Sequence, residues 1–248
     1  MLMIENKHIK GWACGFLMLG ISACESPIVS EEAASISTDD FGAEEHADPL
    51  DGFSRAMMEL NFFLDDYLLQ PAATAYKALT PDFVQTGVGN FTQYVKLPFY
   101  MVNDILQWKI DRFAQNFWVM TVNTFTGVGV VNGAGYFDVY AKPNDFGMTL
   151  HTWGAGPGFE VTLPFLGPTC FRDAVGSIVG LVIDPVSIAA NYNDYRWANY
   201  GITGLGYVHS RSGYLGQLES LRKESYDPYV TIKSIVDQKR ASELKENE

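Results

Sequence analysis

Charge is missing from the middle of this chain. Residues 113–183 carry only Asp138, Lys142, Asp145, Glu160, Arg172 and Asp173, about 8 % against roughly 25 % in ordinary soluble domains. Residues 113–137 carry none. That argues against an ordinary water-facing surface. It does not make a simple membrane span either, because Gln115, Asn116, Asn123, Thr124 and Asn132 interrupt the run, together with Gly127, Gly129, Gly133 and Gly135. Basic residues are also scarce: 17 Lys and Arg face 29 Asp and Glu. The resulting acidity excludes a nucleic-acid partner, which needs a basic face.

Chemistry-bearing motifs are equally thin. Paired cysteines and His pairs at metal-ligand spacing are absent, so no metal and no cofactor are expected. Gly176-Ser177-Ile178-Val179-Gly180 has the wrong spacing for a nucleophile elbow. Gly127, Gly129 and Gly133 miss the dinucleotide spacing by one residue. Nothing argues for an enzyme; a lipid hydrolase using a scattered Ser with His151 and Asp173 stays as an alternative.

The few cysteines are informative by position. Residues 1–10 are weakly positive through Lys7 and Lys10, and residues 11–20 form an apolar run of about ten residues. A bilayer core needs roughly 20, so this segment reads as a secretory signal. Ile21-Ser22-Ala23-Cys24 follows, the pattern of a lipobox, which predicts cleavage before Cys24 and acylation of that residue. Residues 1–23 are thus a lipoprotein signal peptide. Each buried acyl methylene contributes about 0.8 kcal/mol, and two or more chains hold a protein stably on a membrane. Glu25 stands where the usual inner-membrane retention signal has Asp, and resemblance to lipoproteins in general then implies sorting to the outer membrane. Cys14 leaves with the signal, so Cys170 has no intramolecular partner and reads as a small buried hydrophobe. Residues 24–47 form a lipidated, acidic tether that buries too little to fold, a spacer rather than an acidic interaction tail.

The mature chain of 225 residues, net charge near −13, suits one domain. Asp48-Pro49, Thr80-Pro81, Asp184-Pro185 and Asp227-Pro228 each set a capping residue before a first-turn proline. Phe53, Met57, Leu60 and Leu64 recur at helical spacing, and Tyr229, Val230, Ile232, Ile235 and Val236 make one apolar face of a helix. No hairpin turn joins two alternating runs. The fold is expected to be all-α, with helices too short to cross a bilayer lying in one leaflet and their polar residues sharing a wet interior. Gly176 and Gly180 point to close helix packing. From Glu219 onward charge returns, and residues 241–248 read as a charged tail.

Several motifs in order resemble the MlaA (VacJ) lipoprotein family. Asp48-Pro-Leu-Asp-Gly-Phe-Ser-Arg55 is similar to its DPLEGFNR opening, and Gly89-Asn90-Phe91 to its Ser-Asn-Phe element. Asp145-Phe-Gly-Met-Thr-Leu150 with Trp153-Gly-Ala-Gly-Pro-Gly158 resembles DFGxTLGxYGVGxGP. Leu163-Pro-Phe-Leu-Gly-Pro168, Phe171-Arg-Asp173, and Asp227-Pro-Tyr229 with Gln238 and Arg240 complete the set. Departures are Val119-Met120, Gly133-Ala134-Gly135, His151 for a usual Gly, and Lys233 for Arg.

The resemblance assigns residues 48–240 to one helical, ring-like domain in the periplasmic leaflet of the outer membrane, with a central amphipathic channel. It implies removal of phospholipids mislocalised to the outer leaflet, their transfer to a periplasmic phospholipid carrier, and a trimeric porin as neighbour. Gly154, Gly156 and Gly158 are hinge candidates for a helical hairpin over roughly 113–146. Asn123, Thr124 and Asn132 either line the channel or satisfy helix ends. Arg172 and Asp173 are expected as an ion pair at the rim. Trp108, Trp118, Trp153 and Trp197 suit an interfacial belt or plain packing. A structural envelope lipoprotein without transport is the other alternative.

Overall fold

The computed structural model describes residues 50–248. The signal peptide, Cys24, the tether and the Asp48-Pro49 helix start lie outside the described residues.

The all-α expectation holds, with one small sheet added. α1 (Asp51–Leu64) passes through a π-helical turn (Asp65–Leu69) into α2 (Gln70–Leu79). α3 (Asp82–Leu106) and α4 (Ile110–Gly127) form a long hairpin, followed by a 3₁₀ turn (Ala134–Phe137) and α5 (Phe146–Thr152). Strands β1 (Glu160–Leu163) and β2 (Gly167–Cys170) come next, then α6 (Phe171–Ile183) and α7 (Pro185–Tyr192). α8 (Arg196–Gly213), α9 (Gln217–Glu224) and α10 (Pro228–Asn247) complete the domain.

Asp184 and Asp227 cap α7 and α10 as the spacing predicts, each accepting two backbone N–H groups ahead of a first-turn proline. Thr80-Pro81 does not: Pro81 stays extended and α3 starts at Asp82 without a side-chain cap. The strands also correct the sequence reading. β1 and β2 pair antiparallel, from Glu160 opposite Cys170 to Leu163 opposite Gly167. Their turn places Phe165 and Gly167 at positive φ, and four residues per strand are too few to show a period.

The packing order closes on itself. α1 lies on the strand hairpin, the hairpin on α6, α6 on α7, α7 on α8, and α8 on α2, which returns to α1 through the π turn. α3 packs across α7 and α8 from the side. Neighbouring aspartates on the π turn fasten this circuit: Asp65 accepts from Arg211 at 2.6 and 2.8 Å, and Asp66 from Arg222 at 2.7 and 3.1 Å. The strand hairpin, α6 and α8 of this circuit also wall an open cavity.

Residues 171–192 are together long and apolar enough to cross a membrane, but they are not one rod. Asp184 leaves the helical region at ψ 116° and Pro185 starts a new helix. Pieces of 13 and 8 residues reach roughly 20 and 12 Å, short of a core of about 30 Å.

Polarity is inverted relative to a water-soluble domain. Among the described residues sixteen polar or charged residues are buried, against twelve hydrophobic ones. Large apolar side chains face outward: Phe125 is 86 % exposed, Val182 70 % and Trp108 86 %. The apolar stripe read on α1 obeys the same rule. Phe53 and Leu60 face out, while Ser54, Met58, Asn61 and Phe62 face in.

The stretch 113–146 is not a helical hairpin. α4 ends at Gly127, where Val128 turns left-handed at φ 50°, and residues 128–145 return alongside it largely without regular structure. Such a segment has backbone groups to satisfy, and one face of α4 serves them. Arg112 donates to Pro143 O at 2.8 Å and Gln115 to Tyr140 O at 2.8 Å. Asn116 bonds both backbone groups of Lys142, and Asn123 accepts from Ala134 N at 3.0 Å. The helical hairpin of this region is α3–α4, turned at Trp108 with φ 58°.

The C-terminal boundary at 240 also moves. α10 runs unbroken to Asn247, which is 2 % exposed and donates to Gln107 Oε1 at 2.9 Å. Residues 241–248 therefore belong to the fold and are no free tail.

Candidate functional site

The cavity, open to the outside on one side, has a volume of about 1080 Å³ and takes its walls from α3, α5, the 154–158 loop, the strand hairpin, α6, α8 and α10. Phe99, Ile178, Leu181, Ile202 and Tyr207 line one part of it. Asp145, His151, Arg172, Asp173, Arg240 and Glu243 line another. The space is amphipathic.

The charged part is a single network. Arg172 donates to both oxygens of Asp173, at 2.9 and 3.3 Å, and its third nitrogen meets His151 Nδ1 at 3.2 Å. Arg240, from α10, donates to Asp173 at 2.8 Å, to Asp145 at 2.7 and 2.9 Å and to Glu243 at 3.2 Å. Burial pushes the Asp173 carboxyl up, but the bonds from Arg240 and Arg172 outweigh it and hold the group at about 2. Burial pulls Arg240 down, and Asp145 and Asp173 more than reverse this. The Arg172–Asp173 pair is real, yet it is buried rather than exposed at a rim, with 5 % and 11 % of its side chains accessible.

Local sequence explains how these groups converge. Asp145 is the N-cap of α5, accepting from Met148 N at 2.9 Å, and Asp173 lies in the first turn of α6. Here α5 and α6 touch backbone to backbone. A Cβ on Gly176 would sit 2.5 Å from Gly147 N, and one on Gly147 would sit 2.5 Å from Asp173 Oδ1. The small-residue spacing at 176 and 180 thus serves close packing within one chain, as expected, with Gly180 against Phe99.

The glycine-rich loop lines the cavity. Gly154 and Gly158 lie at φ 92° and 72°, where side chains are strained. Gly156 has ordinary φ, and a Cβ there would meet nothing within 4 Å. Of the three hinge candidates, only the outer two need to be glycine on conformational grounds.

The channel-lining candidates are corrected. Asn123, Thr124 and Asn132 are absent from the cavity wall. Asn123 and Asn132 accept from Ala134 N and Gly135 N, which they cap, and Thr124 Oγ1 donates to Met120 O. In a charge-free stretch, neutral amides are the residues that satisfy backbone groups without burying a charge. Cys170 likewise lines the cavity half-buried, its thiol pushed up by burial, rather than lying in a core.

His151, Asp173 and Ser177 do come into one neighbourhood, without a relay. Ser177 Oγ donates to the Asp173 carbonyl, and His151 and Asp173 are both held by Arg172. Sequence reading missed Asp145 and Glu243 as partners of Arg240. The available signal was that Asp145 is one of six charges in an otherwise apolar stretch.

The MlaA lipoprotein family model matches residues 46–243. The chain belongs to the MlaA lipoprotein family. It is 30 % identical over 217 residues to the intermembrane phospholipid transport system lipoprotein MlaA of Escherichia coli K12, covering 81 % of this chain and 78 % of that one. It is 31 % identical over 210 residues to an uncharacterized protein of Rickettsia conorii, covering 82 % and 80 %. A solved structure from work on the structural basis for maintenance of bacterial outer membrane lipid asymmetry superposes with TM-score 0.68 at 30 % identity. It covers 79 % of this chain and 98 % of that one.

The stretches that resemble MlaA meet in space. Arg55 of the opening motif donates to Asp227 of the closing one at 2.8 Å and lies over the Tyr229 ring. Arg240 joins the Asp145 and Phe171-Arg-Asp173 motifs. Two departures have local partners: Lys233 pairs with Glu160, and Gly89 leaves room for His209, whose Nε2 would lie 2.7 Å from a Cβ there.

Proposed function

We propose that this protein is an outer-membrane lipoprotein, acylated at Cys24 and facing the periplasm, that removes phospholipids from the outer leaflet and passes them to a periplasmic carrier. The observation that carries the reading is an amphipathic cavity of about 1080 Å³ in a domain that exposes many large apolar side chains. A lipid offers the matching pair of chemistries, tails for the apolar wall and a headgroup for the charged network. The exposed Trp108, Trp118, Trp153 and Trp197 suit an interfacial belt around a ring seated in the periplasmic leaflet, beside a trimeric porin. Gly154 and Gly158 give the cavity loop its freedom to hinge, with Gly156 between them. The role is transport without covalent chemistry.

Deletion is expected to raise the phospholipid reached by a membrane-impermeant amine reagent on intact cells, and the full-length gene to reverse it. Unchanged surface labelling would overturn the transport role. Purification from crosslinked cells should bring down a porin together with phospholipid. Cys24→Ala behind a conventional signal peptide should leave part of the mature protein on membranes; complete release would remove the embedded ring.

A further inference from the structure

A route for lipid needs an exit as well as an entrance, so the joints of the cavity wall matter beyond its open side. Several joints are tied by directional bonds. The strands pair along a ladder, and α5, α6 and α10 share the Arg240 network. α8 is bonded to α7 through Asn199 and Ser187, and to the π turn through Arg211 and Asp65.

The joint between α3 and α8 is built by shape. Thr92 and Val95 of α3 and Ile202, Gly206 and Tyr207 of α8 line the cavity, so this joint is part of its wall. There each helix offers a glycine to a side chain of the other. A Cβ on Gly89 would lie 2.7 Å from His209 Nε2, and one on Gly206 would lie 3.5 Å from Thr92 Cγ2. Such contacts vanish as soon as the helices part, because dispersion is short-ranged.

His209 also fills the corner against α2. Its Nδ1 lies 3.2 Å from Tyr76 Oη, and the two rings meet edge-on. The surrounding charges are poor partners for a cation. On α2 stand Tyr76 and Lys77, which donates to Ser212 O. On α3 the nearest charges are Asp82 and Lys96, each seven residues from Gly89. Arg211 of α8 is held by Asp65 of the π turn, and the neighbouring Asp66 holds Arg222. The Gly89 carbonyl already accepts from Thr92 Oγ1 at 2.9 Å. Burial accordingly pulls the His209 imidazole below its ordinary range.

We propose that the α3–α8 joint is a lateral gate for lipid, latched by neutral His209 in the notch at Gly89 and released when that imidazole takes a proton. The gate rests on the transport reading above. A protonated ring would press a charge and a second N–H against the α3 backbone, and it escapes both by leaving the notch.

The test uses mature, acylated protein carrying Cys170→Ser, to which Thr92→Cys and Gly206→Cys are added. A Cβ on Gly206 would lie 3.8 Å from Thr92 Cβ, within the roughly 3.5–4.5 Å that a disulfide spans. Protein loaded with a fluorescent phospholipid is mixed with phosphatidylcholine vesicles, and the rate of transfer is followed. Oxidation should slow transfer severalfold, and dithiothreitol should restore the faster rate, which excludes a folding defect. Without the added cysteines, lowering pH from 7.5 to 5.5 should speed release by up to about tenfold, since the freed ring regains a value near 6.5. His209→Gln, neutral at both pH values, should lose that response. Unchanged transfer by the cross-linked protein, or an equal acid response in His209→Gln, overturns the gate while leaving transport standing. A protein that takes up no lipid at either pH overturns the transport reading with it.

Discussion

Two junctions of this domain are built from opposite materials. Where α1, α9 and α10 meet, the interior is conventional: Met58, Phe62, Leu218, Tyr229 and Ile232 pack together with Leu221 and Val236 at the edge. Where α3, α4, α5 and the end of α10 meet, the interior is polar. Asp104 accepts from Asn116 and Asn144 at 2.7 Å each, and Gln107 donates to Asn144 and Thr149. Thr149 donates to Asn103, and Arg112 lies 3.7 Å from Asp104. Outside this polar junction the same helices show Ile105, Trp108, Ile110 and Phe117 to the surroundings.

With the domain seated in a membrane leaflet as proposed, the difference follows from what each part faces. In water, burial of apolar area is the driving force, so an apolar core forms. Against an apolar surrounding that force vanishes, and hydrogen bonds that cannot be exchanged for water hold the helices. Asp104 shows the tension: burial pushes its carboxyl up, and the two amides and Arg112 pull it back.

The comparison can be broken by substitution. The largest loss is expected from Arg240→Ala, which leaves half-buried Asp145 without its arginine and Asp173 with Arg172 alone; truncating one partner of a buried pair costs about 3–5 kcal/mol, an upper bound here, read from chemical unfolding in detergent. Next, Ile232→Ala in the apolar junction should cost about 2–4 kcal/mol, whereas Val182→Ala, an outward residue, should leave detergent stability unmoved and lower retention on vesicles. An equal loss at both positions would show that the outer face of α6 is covered by protein.

Acid should act on the charged network before the apolar junction. Asp173 has its folded-state value depressed to about 2 from 3.8. Its contribution of roughly 2 kcal/mol is full above the unfolded value and is lost as pH falls through the folded one. Melting temperature should therefore drop between about pH 4 and 2, and the drop should shrink in Asp173→Asn. The smallest effect separates the loop glycines. Gly154→Ala should cost about 1 kcal/mol for its left-handed φ, and Gly156→Ala almost nothing, with lipid transfer following the same order.

Much of the fold was legible. Asp184-Pro185 and Asp227-Pro228 mark helix starts because capping is local chemistry, and Tyr229 and Ile232 reveal their buried face by period alone. Phe53 and Leu60 misled, since a period shows that a helix has two faces and not which one is covered. The small sheet was hidden by its shortness, and the return segment 128–145 by its lack of any period.

By itself, the sequence determined the helical character, the charge-poor middle and the family, since these depend on residue identity and near neighbours. Only the tertiary structure decided what Asn123, Thr124 and Asn132 do and which carboxylates Arg240 holds. Those outcomes depend on residues about a hundred positions apart meeting, as Asp145 and Arg240 do at 2.7 Å. Hydrogen bonds reach only about 3 Å, so nothing in the local chain announces them.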